Sequence, residues 1–140
     1  MTKPRGIRNN NPGNIDFNPR NEWLGQSGIE DGAGARFATF SSAVYGIRAI
    51  ARLLITYQER HKLLTVYQIL NRYAPAKEND TGSYINAVAT KLGVSQHDRI
   101  SVRNKDVMFD LVSAIIKHEN GIQPYSDTVI NEALKLAGVK

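Results

Sequence analysis

The residues in this chain that could do chemistry are its carboxylates, because the other common catalytic groups are missing or badly spaced. There is no cysteine, so neither a thiol nucleophile nor a thiolate metal cluster can be built. His61, His97 and His118 stand far apart without the paired spacing of a zinc site, so neither a metal nor a cofactor is expected. No glycine precedes Lys-Ser or Lys-Thr at the spacing of a phosphate-binding loop, and no Gly-x-Ser-x-Gly elbow is present.

The carboxylates differ in setting. Glu59 and Glu132 fall on solvated helix positions, and Glu22 lies in a loop rich in glycine and asparagine. Glu78 is the polar lead-in to a helix that Asp80 caps. Glu30 and Asp31 occupy the tip of a turn, where a carboxylate overhangs a groove or merely solubilises the chain. Glu119 is different, since it ends the most apolar helix just before Asn120 and Gly121. A carboxylate there loses water and faces the negative end of the helix dipole, and both effects favour the protonated form that can hand a proton to a leaving oxygen. The competing possibility is a helix-end glutamate that swings into solvent beside Lys117.

These residues must be positioned by a mainly α scaffold. Residues 1–40 are rich in glycine, asparagine and proline and carry no sustained apolar period; within them, Trp23 to Phe40 reads as a hairpin, with EDGAG as its turn and ARFATF alternating like a strand. After Phe40 the period becomes helical. Ser41 and Ser42 offer a cap, and Val44, Ile47, Ala51 and Leu54 recur at intervals of three and four. Further helices are expected in LTVYQILNRYA, stopping at Pro75, and from about Asp80 to Gly93. A fourth runs from its Asn104 cap to Gly121, and a fifth follows Asp127 and closes on Gly138. The absence of a repeat or linker makes residues 1–140 a single expected domain.

Composition bounds the partners. The chain has 140 residues, 41% of them hydrophobic, a net charge of +5 and a pI near 9.6, which suits an anionic partner or simply solubility. Arg5, Arg8, Arg48 and Arg52 are not interleaved with stacking aromatics in one stripe, so nucleic acid is not expected. No apolar run has the form of a signal peptide or the length of a membrane span, so neither export by its own signal nor stable membrane insertion is expected. Sugar-binding grooves combine aromatic faces with amides. Among Phe17, Trp23, Phe40, Tyr73, Tyr84 and Tyr125, the two best placed for such a groove are Tyr84 and Tyr125, beside loop residues; core packing accounts for the others equally well.

The order RGIRNNNPGNI, WLGQ, a glycine-rich turn and RFATFSSAVYGIRAIARLL resembles phage and prophage virion proteins that act on peptidoglycan. It is more loosely similar to the flagellar-type and autolysin glucosaminidases of the lysozyme-like superfamily. Those enzymes carry an asparagine-containing Gly-Ile segment, Trp-x-Gly, an acidic hairpin and Phe-Arg-x-Tyr-x-Ser leading into a helix; NNPGNI, WLG, the hairpin with Glu30 and RFATFSS fill the same slots, and YAPAKENDTGSYINAV resembles a later segment. In those relatives the glutamate-bearing helix precedes the asparagine segment, whereas only eight residues precede the asparagine run here. AIIKHENGIQPYSD resembles the missing helix end, which implies a circular permutation returning Glu119 beside Asn11 and Asn14.

The resemblance implies a lysozyme-like, mainly α fold with a small irregular amino-terminal lobe containing a short β-hairpin. It implies cleavage of peptidoglycan glycan strands, as a lytic transglycosylase or a glycosidase, with Glu119 as general acid and base. A hydrolase would add Glu30, on a mobile hairpin, as second carboxylate; Asn11, Asn14, Tyr84 and Tyr125 would bind the sugar. Other virion or tail proteins are further partners, and the location is the host cytoplasm after synthesis, then virion or periplasm. The alternative is a non-catalytic virion structural protein that binds cell wall.

Overall fold

A computed structural model describes residues 2–75 and 80–140; Glu78 lies outside the described residues. The expected helices are present as α2 (Ala43–Glu59), α3 (Val66–Tyr73), α4 (Thr81–Leu92), α5 (Lys105–Asn120) and α6 (Asp127–Leu136). Their ends follow local chemistry. Thr65, Asp80, Asn104 and Ser126 each accept a hydrogen bond from the backbone N–H three residues on, and α4 and α5 stop at Gly93 and Gly121 in the left-handed conformation. Ser42 takes the cap position of α2 but its hydroxyl makes no capping bond.

The apolar stripes meet in one core. Ile47, Ile50, Ala51 and Leu54 of α2 are fully buried, as are Met108, Leu111, Val112, Ile115 and Ile116 of α5, each large side chain contributing about 1.5–3 kcal/mol by leaving water. Helix α2 packs on α6, and α4 on α5. The expected hairpin pairs β1 (Gln26–Ile29) with β2 (Ala38–Phe40), antiparallel, with an irregularity between Gln26 and Gly28. On the other edge of β2, Ala38 N–H donates to Ile15 O at 3.1 Å, and next to it Phe17 N–H donates to Arg36 O at 2.9 Å. The chain is therefore mainly α with a short β-hairpin.

The amino-terminal segment, read as loop, contains the four-residue helix α1 (Arg5–Arg8) and then a tightly folded turn. Asn11 is completely buried; its amide donates to Ile15 O and Ala38 O, both at 2.9 Å, and accepts from Ile15 N–H at 3.0 Å. Asn10 donates to Phe40 O at 3.1 Å. Asn10 and Asn14 adopt left-handed backbone angles, φ 52° and 49°, which asparagine tolerates better than most residues. This accounts for two of the amides at the start of the chain: Asn10 and Asn11 satisfy backbone groups that a buried, irregular turn would otherwise leave without partners.

Two glycines allow the turn to seat on the helices. A Cβ on Gly46, within α2, would overlap the carbonyl oxygen of Asn10, and one on Gly13 would lie 2.6 Å from Ile50 Cγ1. Gly46→Ala is therefore expected to destabilise the fold at or beyond the upper end of the roughly 1–3 kcal/mol typical of overpacking. Gly82→Ala, at an exposed position in the first turn of α4 where a Cβ would meet nothing nearer than 3.8 Å, should be neutral or stabilising by up to about 1 kcal/mol. Urea midpoints of the two variants measure the contrast; equal midpoints would contradict it.

Candidate active site

Helix α5 delivers Glu119 and Asn120 to the turn as a pair. Asn120 Nδ2 donates to Pro12 O at 2.8 Å and to Ile116 O of its own helix at 2.9 Å. Glu119 Oε1 accepts from Asn14 Nδ2, and its Oε2 accepts from the Tyr84 hydroxyl, each at 2.9 Å. The carboxyl group is thus fixed from two sides. Tyr84 is fully buried and stacks on His118 with ring centroids 3.8 Å apart. Burial, then Tyr73 and Glu119, push its phenol well above the ordinary range, so it remains a proton-bearing donor. Tyr73 donates to Gly13 O at 2.6 Å, and burial, followed by Glu119 and Tyr57, raises it as well.

Glu119 lines a cleft of about 420 Å³ between the amino-terminal turn and α2 and α3, within the size range of small-ligand sites. Its amides are Asn14, Asn18 and Asn21, its aromatics Trp23, Phe37, Tyr57 and Tyr73, and its charged groups Asp16, Arg36, Arg72 and Glu119. Asp16 is held by the Arg36 guanidinium through both carboxylate oxygens. The Trp23 indole nitrogen is buried with no hydrogen-bond partner among the described residues. A half-buried glutamate facing amides and aromatic rings can exchange a proton with a polyhydroxylated ligand laid along the cleft.

No family model matches the chain. It is, however, 39% identical over 124 residues, 87% of its length and 74% of the other's, to Protein P5 of Pseudoalteromonas phage PM2. The chain belongs to the phage Protein P5 family. Its phage affiliation rests on that match, and the name Protein P5 carries no activity with it.

In this P5-family chain, Glu119 and Asn14 come together as the resemblance led one to expect, while the other four named residues take different places. Glu30 is no mobile carboxylate. Arg5 Nε donates to its Oε1 at 2.8 Å, Asn9 to the same oxygen at 3.2 Å, and the backbone N–H groups of Arg36 and Phe37 to Oε2 at 2.9 and 2.8 Å. It lines a separate hollow with Arg5, Arg8 and Asn9, outside the Glu119 cleft. Asn11 has no free amide for a sugar, since burial and three backbone contacts consume it. Tyr84 lies beneath the cleft and touches Glu119, and Tyr125 packs half-buried against the core away from the cleft lining. Asp16, Arg36 and Arg72 escaped the sequence reading. Asp16 carried one usable signal, its place two residues beyond Asn14 in the same turn.

The Glu30 brace has a pH signature. Its carboxyl is held far below the usual range, chiefly by Arg5, with the backbone donors adding to the effect. An unfolded chain takes up the proton near the ordinary value of 4.5, where the folded chain still refuses it. Stability from this group is therefore complete above that pH and lost progressively below it. Wild-type protein should lose more stability between about pH 5 and about pH 3 than Glu30→Gln, which should start less stable at neutral pH. Parallel urea midpoints across that range would contradict the assignment.

Proposed function

We propose that the chain cleaves the glycan strands of peptidoglycan, with Glu119 as the acid and base. One observation carries this reading: a glutamate at the end of a buried helix is gripped at both oxygens and set into a cleft bordered by three asparagines and several aromatic rings. Glu119 protonates the glycosidic oxygen, the C1–O bond breaks, and an oxocarbenium-like centre forms. The resulting carboxylate then takes the proton of the sugar's own C6 hydroxyl as that oxygen closes on C1, which leaves an anhydro end and restores Glu119.

This transglycosylase route is favoured over hydrolysis by the disposition of the second carboxylates. Hydrolysis through two carboxyl groups needs a free partner flanking the bond. Glu30 is engaged in its own hollow, and Asp16 is engaged by Arg36. The same arrangement supports a lysozyme-like plan in permuted order, with the glutamate helix following the asparagine turn in sequence. Membership of a phage family supports a virion-associated role, with virion or tail proteins as additional partners and the periplasmic wall as the place of action.

Glu119→Gln should lower release of soluble muropeptides from purified sacculi by at least about 10²–10⁴-fold with an unchanged circular dichroism spectrum. Mass spectrometry of wild-type products should show anhydro-muramic ends, whereas reducing ends would overturn the transglycosylase route. Undiminished release by the variant would remove Glu119 from the mechanism. Sacculus binding by wild-type protein without any release would favour the non-catalytic, wall-binding role.

A further inference from the structure

The cleft contains a cation that makes no ion pair among the described residues. Of the four charged residues lining it, Asp16 and Arg36 pair with each other, and Glu119 is held by two neutral donors, Asn14 and Tyr84. Arg72, exposed on the last turn of α3, makes no ion pair among the described residues; its guanidinium instead lies over the Tyr57 ring, 5.3 Å from the centroid. Contact with the Tyr57 ring and hydroxyl restrains the guanidinium, and the N–H groups not turned to Tyr57 can meet a carboxylate with two parallel hydrogen bonds.

A glycan built of N-acetylglucosamine alone is neutral and offers such a group only hydroxyls and amides. A wall glycan carries carboxylates, either on the lactyl ether of muramic acid where the peptide has been removed or on the stem peptide itself. We propose that Arg72 is a specificity-determining residue that reads a carboxylate on the substrate, so that the cleft selects carboxylated wall glycan over neutral chitin-type glycan. This rests on the glycan-cleaving reading of the same cleft, and it adds which substituent the cleft demands.

The test is equilibrium binding to the Glu119→Gln protein, which cannot consume its ligand. Three probes are compared: a neutral chitooligosaccharide, the N-acetylglucosaminyl-N-acetylmuramic acid disaccharide with a free lactyl carboxylate, and the same disaccharide carrying its stem peptide. At least one carboxylated probe should bind about tenfold or more tightly than the neutral one, and the preference should shrink as salt is raised. Which probe gains tells the lactyl from the peptide carboxylate. Adding Arg72→Gln, a change at an exposed position, should bring the ratio of affinities close to one, and Arg72→Lys should restore part of it. Equal affinity for neutral and carboxylated probes, or a preference that survives Arg72→Gln, overturns the role of Arg72 while leaving glycan cleavage standing. Binding of none of the three overturns both.

Discussion

Two asparagine side chains hold the arrangement together. Asn120 ties the last turn of α5 to Pro12, and Asn14 reaches back to Glu119, so the end of α5 and the irregular turn at the start of the chain form one joint across more than a hundred residues of sequence. Amide groups suit this work because each donates through its nitrogen without a charge to desolvate. The joint also fixes the cleft, whose one wall is that turn and whose other wall is α2 and α3. A carboxyl group borne on a flexible helix end would sample many positions, whereas here the Asn14 amide and the Tyr84 hydroxyl leave it one.

The turn can serve as a wall only because it is rigid itself. Asn11 closes it from inside, Gly46 and Gly13 let it sit directly on α2, and the Arg5–Glu30 brace ties α1 to the hairpin loop. Charge and burial are used differently at the two glutamates. Glu30 is saturated with cationic and backbone donors and acts as a structural anion, while Glu119 meets neutral donors and borders open space.

The helices were legible because their signals are local: apolar residues three and four apart, capping side chains three residues before the N–H they accept from, and glycine where the helix reverses. The hairpin was legible from its turn residues and strand alternation, and Glu119 from its place between an apolar stripe and a glycine stop. What could not be read was pairing over distance. Glu30 looked like any acid at a turn, since its arginine lies 25 positions away. Asn11 and Asn14 are near neighbours with identical side chains, yet one is consumed by the backbone and the other meets the carboxyl group, a difference set by backbone angles that the sequence does not print. Tyr84 was expected to face a sugar, but the face of α4 it occupies points into the core, where its hydroxyl meets Glu119.

The measurement that bears most directly on this account is a crystal structure of the Glu119→Gln protein with a muropeptide-derived oligosaccharide bound. The account predicts the sugar chain lying along the cleft past Trp23 and the asparagines, with a glycosidic oxygen within about 3 Å of the side chain at position 119. A saccharide seated elsewhere, or one in the cleft whose glycosidic oxygens all lie beyond hydrogen-bond reach of that side chain, would contradict it.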